Sequence, residues 1–83
     1  MYLFNKSDAL EHRLAALTRI IEAAIADLRD GNVLVDLAVV RREVDDICFR
    51  IEANPDLTGH LVPRMAALIA RRDELAQALE AFI

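Results

Sequence analysis

What this chain has little of narrows it quickly. It holds one cysteine, Cys48, so no intramolecular disulfide can form, which suits a reducing cytoplasm. No run of apolar residues approaches the ~18 needed to cross a membrane. The opening "MYLFNK" lacks the charged start and long apolar stretch of a signal peptide. Positive charge is also short, with 10 Lys and Arg against 14 Asp and Glu, a net charge of −4. A phosphate-binding footprint would appear as a clustered basic face, whereas Arg41-Arg42 and Arg71-Arg72 are short pairs mixed with acids. Neither nucleic acid nor membrane is an expected partner, and a cytoplasmic location is expected.

Aromatic residues make up 5% of the chain and there are only two glycines, so the 55% hydrophobic content is mostly Ala, Leu, Ile and Val. That mixture suits helices. A chain of 83 residues forms one domain at most, in the size range where a single core stabilises a fold only marginally. It also carries more apolar surface than one small core absorbs, which points to self-association or a standing partner.

The pattern along the chain is helical throughout. In "NKSDALEHRLAALTRIIEAAIADLRDG", the residues Leu10, Leu14, Leu17, Ile21, Ala24 and Leu28 alternate steps of four and three. That heptad seam predicts a long helix over 6–30, capped by Asn5 or Ser7 and closed by Gly31. "GNVLVDLAVV" at 31–40 could be taken for a strand. Beyond it, however, Leu37, Val40, Val44, Ile47 and Ile51 keep helical spacing, and Asp36 is a good N-cap. Val35 and Val40 then occupy the two positions of a hydrophobic staple. The reading is a buried connector over 31–36 and a helix over 37–53.

"NPDLTGH" breaks that helix and predicts a loop over 54–60. A third helix is expected over 61–82, with Leu61, Met65, Leu68, Leu75, Leu79 and Phe82 inward and Arg72 in a slot that asks for an apolar residue. The expected fold is all-α: one domain, 1–83, an antiparallel up-down-up bundle of three helices with a long first helix, associating with itself through helix faces.

Few residues invite chemistry. Arg72 either lays its stem along the core edge with its head in water, or pairs across helices or subunits with Asp45 or Asp46. Val39 and Phe49 lie off the main seam among Arg42, Glu43, Asp46 and Glu52, an aromatic anchor ringed by charge. Tyr2, Leu3 and Phe4 add large apolar groups outside the helix pattern. These six residues, Tyr2, Leu3, Phe4, Val39, Phe49 and Arg72, are the expected interface. Cys48 has the neighbours of a small core filler, and Asp45 and Asp46 point in different directions around a helix.

His12 in "LEHRLAAL" is one turn after Asp8, but two ligands do not make a metal site. His60 is expected in a loop beside Gly59, exposed to solvent. No cofactor, metal or catalytic residue is expected, and the protein is expected not to be an enzyme. The Glu11-His12-Arg13 stretch resembles the phosphoacceptor box of some sensor histidine kinases, which would make His12 a phosphoacceptor. The asparagine and proline features that follow the histidine in such boxes are absent. "LIARRDELAQAL" resembles the helices of chorismate mutases, and Gln77 stands where that family uses a glutamine or glutamate. The lysine-bearing segment that family needs is missing, so the likeness is assigned to shared helix-forming composition. The expected function is non-catalytic: a small helical interaction or adaptor module, homodimeric or bound to another protein's helix. By analogy of class it resembles the small accessory or export chaperones, also short acidic bundles. Histidine phosphotransfer through His12 is the alternative.

Overall fold

Leu10, Leu14, Leu17, Ile21, Ala24 and Leu28 are all buried, so the heptad seam is a single inward stripe along the whole first helix. The computed structural model describes residues 6–82, and every regular element within them is helical. α1 spans Lys6–Arg29, α2 Leu37–Ala53, α3 Pro55–Thr58 and α4 Val62–Phe82, with a 3-10 turn, Gly59–Leu61, leading into α4. No strand occurs among the described residues, and the Val33–Val40 run forms none.

α1 stops through its backbone. Gly31 takes a left-handed φ of 85°. Its N–H reaches the Leu28 carbonyl at 3.0 Å, and the Asn32 N–H reaches Asp27 at 2.8 Å. This pair of bonds is a Schellman closure, and it satisfies two carbonyls that the helix end would leave open. A Cβ on Gly31 would touch nothing within 4 Å, so the demand for glycine comes from backbone angle rather than space.

α2 starts as its sequence requires. The Asp36 carboxylate accepts from the Ala38 N–H at 2.9 Å, and Val35 packs half-buried beside a core that includes Val40. The connector before it is not buried, contrary to expectation. Val33 is 49% and Leu34 75% exposed. The core ends at Leu28 and Val40, and no element beyond them covers the connector.

The break after α2 is more ordered than a loop. Pro55 opens the short α3 at the position where its missing N–H is harmless. The same missing N–H removes the donor that would serve the Ile51 carbonyl four residues back. Thr58 supplies a substitute: its hydroxyl lies in hydrogen-bond reach of the Ile51 carbonyl, and 2.6 Å from that of Asn54, with one proton to donate between them. Thr58 is buried at 1% exposure, so this bond matters.

Three ion pairs tie the helices to one another. Arg13 on α1 reaches Asp46 on α2, whereas Glu11 on α1 reaches Arg64 near the start of α4. Arg72 further along α4 meets Asp45 on α2. The end of α1 shares a hollow with the end of α4, Leu28 with Phe82, and the start of α1 meets the end of α2, Leu10 with Ala53, so α1 and α4 run parallel and α2 runs against both, the up-down-up bundle. Val40, Val44, Ile47 and Ile51 fill the centre from α2, and Leu68 and Leu75 from α4, with Leu61 closing one end. Phe82 departs from the expected seam and is 46% exposed. The Arg72–Asp45 register places Leu79 level with Ala38, so Phe82 lies past the start of α2.

Candidate functional site

A heptad seam leaves its flanking positions at the rim, and the α1–α2 rim carries most of the remaining chemistry. At its middle is an ion cluster. The two terminal nitrogens of Arg13 each lie 2.9 Å from an acid on α2, Asp46 and Glu43, and Arg50 Nε donates to the same Asp46 oxygen at 2.9 Å. Hydrogen bonds from Arg13, then from Arg50, hold the Asp46 carboxyl below its ordinary value. The same bond to Asp46 raises the already high pKa of Arg13. All these groups are well solvated, so the cluster sets register more than it adds stability.

Apolar side chains lie on either side of the cluster. One heptad from the Arg13–Asp46 pair along the antiparallel helices, Ile20 comes opposite Val39, and they are 54% and 46% exposed. In the other direction Phe49 and Leu57, 72% and 54% exposed, line a groove of about 400 Å³ with Ala9, Leu10, Ala53 and the Arg50 side chain. Apolar, charged, apolar: this sequence runs along one face of the molecule. A second hollow of about 550 Å³ lies between the C-terminal ends of α1 and α4, lined by Ile25, Leu28, Ala78 and Phe82 with Arg29, Glu74 and Gln77.

The expected interface residues fall into three groups. Val39 and Phe49 both lie on the exposed rim just described. Tyr2, Leu3 and Phe4 lie outside the described residues. Arg72 combines both of its expected behaviours. Its side chain is 23% exposed along the core edge, and its head contacts Asp45 across the helix gap at 3.7 Å and Asp73 at 3.1 Å. Ile20 and Leu57 were not singled out by sequence, nor was the Arg13 cluster. The signal was there in part: Arg13 and Ile20 are one heptad apart on the flank of the α1 seam.

The groups with known catalytic habits are dispersed. His12 follows Glu11, which faces α4, and precedes Arg13, which faces α2, so it is exposed on the side turned away from both. His60 is exposed in the 3-10 turn. Cys48 is a half-buried thiol whose pKa is raised by burial and then by the charge of Glu52. Among the described residues no group of three or more His, Cys, Asp or Glu could hold a metal ion, and no helix is long and apolar enough to cross a membrane.

Comparison with known proteins returns no match from family models, curated proteins or solved structures.

Proposed function

We propose that the protein is a non-catalytic interaction module that docks a helical partner, in the first instance a second copy of itself, on its α1–α2 face. One observation carries this reading: Ile20, Val39, Phe49 and Leu57, all about half or more exposed, share one rim while the core is already filled by the seam residues. Exposed apolar groups scattered singly need no explanation, but a strip of them flanking a charged centre has the composition of an interface. The Arg13–Glu43–Asp46–Arg50 cluster would then fix the register of the partner, since charged groups discriminate between alignments more than they add affinity. A cytoplasmic setting suits the unpaired Cys48 thiol. In an adaptor or export-chaperone-like role, the helix of a client protein would take the place of the second copy.

Light scattering coupled to size-exclusion chromatography, run over a range of concentrations, tests this directly. The expected result is a dimer that dissociates when Val39→Asp and Phe49→Asp are combined, with helicity retained. A protein that stays monomeric at every concentration overturns self-association. Phosphotransfer through His12 is the rival proposal, supported only by the exposure of that side chain. Incubation with acetyl phosphate without formation of phosphohistidine counts against it.

A further inference from the structure

The buried seam of α2 is not its only heptad stripe. On the outward side of the same helix Val39, Arg42, Asp46, Phe49 and Ala53 recur in steps of three, four, three and four. Val39, Arg42 and Phe49 are exposed and Asp46 is half-buried, so this stripe is not used by the core. Its first four residues read apolar, basic, acidic, apolar. Val39 and Phe49 stand five residues either side of position 44, and Arg42 and Asp46 two residues either side of it. We propose that α2 pairs with the α2 of a second copy, antiparallel about a two-fold axis level with Val44, so that Val39 meets the partner's Phe49 and Arg42 meets the partner's Asp46. The arrangement rests on the self-association proposed above and adds its direction and register.

Charge decides the direction. In the antiparallel register each Arg42 faces an acid, and the two-fold axis makes two such pairs from one. A parallel pair would set Arg42 against the partner's Arg42 and Asp46 against the partner's Asp46, and juxtaposed like charges reject an alignment. The groups are available for pairing. Among the described residues Arg42 is in no ion pair, and both bonds to Asp46, from Arg13 and Arg50, fall on Oδ2. Oδ1 is left to accept from the partner's Arg42. The rest of the rim obeys the same symmetry, with Ile20 and Val39 towards one end and Phe49 and Leu57 at the other. The two-fold operation lays each end on the opposite end of the second copy, so the groove of about 400 Å³ beside Phe49 receives the partner's Ile20 and Val39. An isologous contact requires this self-complementarity, whereas a client helix of another sequence does not.

Distances between the two copies test the arrangement. Arg41 and Glu52 are exposed and three turns apart on one side of α2, off the outward stripe, so a spin label at either leaves the contact intact. Arg41→Cys and Glu52→Cys would be made singly in a full-length Cys48→Ala chain, labelled, checked for helicity by circular dichroism, and measured by pulsed electron resonance. At ~1.5 Å per residue, the axis near position 44 offsets the two labels along the helices by roughly 9 Å for Arg41→Cys and roughly 24 Å for Glu52→Cys. The Glu52→Cys distance should therefore be the longer by about 10 Å. Equal distances at the two sites mean a parallel pair and overturn the arrangement. Arg42→Glu should also raise the dissociation constant about tenfold or more in light scattering, while Arg41→Glu, the same change of charge off the stripe, leaves it near that of the parent. Equal effects of these two substitutions overturn the pairing of Arg42 with the partner's Asp46. A dimer with equal distances overturns the arrangement alone and leaves the proposed function standing. A chain that stays monomeric at every concentration overturns both.

Discussion

Removing one hydroxyl should cost this protein a measurable part of its stability. Pro55 deprives the Ile51 carbonyl of the donor that a continuing helix would supply, and the buried Thr58 hydroxyl takes its place. Thr58→Val exchanges that hydroxyl for a methyl of similar size, so little cavity results. A buried acceptor that loses its partner costs about 1–3 kcal/mol. The added methyl offsets at most ~0.8 kcal/mol of that by leaving water. With the full offset the expected net loss is about 0.2–2.2 kcal/mol, and at ~4–8 °C per kcal/mol for a domain this small the midpoint should fall by about 1–18 °C. Thermal and urea unfolding, followed by the helical signal in circular dichroism, measure it, with an unchanged urea slope required for the comparison. Thr58→Ser keeps the hydroxyl and gives up a methyl, and should lose about 0.5–1.5 kcal/mol by packing alone. A Thr58→Val protein as stable as the parent would refute the argument, because the carbonyl would then be satisfied without the hydroxyl.

Three further outcomes follow from the same geometry. The folded-state pKa of Asp46 is depressed, so its contribution is complete above the ordinary carboxylate range and is lost as pH falls through the folded value. Asp46→Asn should therefore flatten the acid limb of a stability–pH profile, and an identical limb in both proteins would show that Arg13 and Arg50 do not hold the carboxylate. Arg72→Met keeps the buried stem and should stay within about 1 kcal/mol of the parent, whereas Arg72→Ala should lose about 1–2 kcal/mol of packing. Equal losses in urea titrations would mean that the pair with the solvated Asp45 dominates instead. Cys48, with its raised pKa and partial burial, should react with a thiol reagent far more slowly in the native protein than in urea. Equal rates would place the thiol in open water.

The bundle was legible because its core is written in a local code. Leu10 to Leu28 and Val40 to Ile51 recur at helical spacing, and Gly31, Asp36 and Pro55 mark ends through backbone chemistry that involves only their neighbours. Legibility failed where burial depends on what stands opposite. Val33 and Leu34 are as apolar as any core residue, yet the core stops before reaching them. Phe82 keeps the period of its helix but overshoots the end of α2.

The candidate face divides in the same way. Val39 and Phe49 could be noticed as apolar residues out of phase with their own helix, because phase is a property of one helix. Ile20, Leu57 and the Arg13 cluster could not be placed beside them before the register between antiparallel helices was known. Thr58 is the sharpest case, since nothing nearby in the sequence says that its hydroxyl serves a carbonyl seven residues back. The sequence by itself determined where the helices are and which stripe of each turns inward, because hydrophobic period and capping act over one or two turns. The tertiary structure alone decided which rim residues meet, which ions pair and where the core ends, because those depend on the relative position of helices that the chain brings together only on folding.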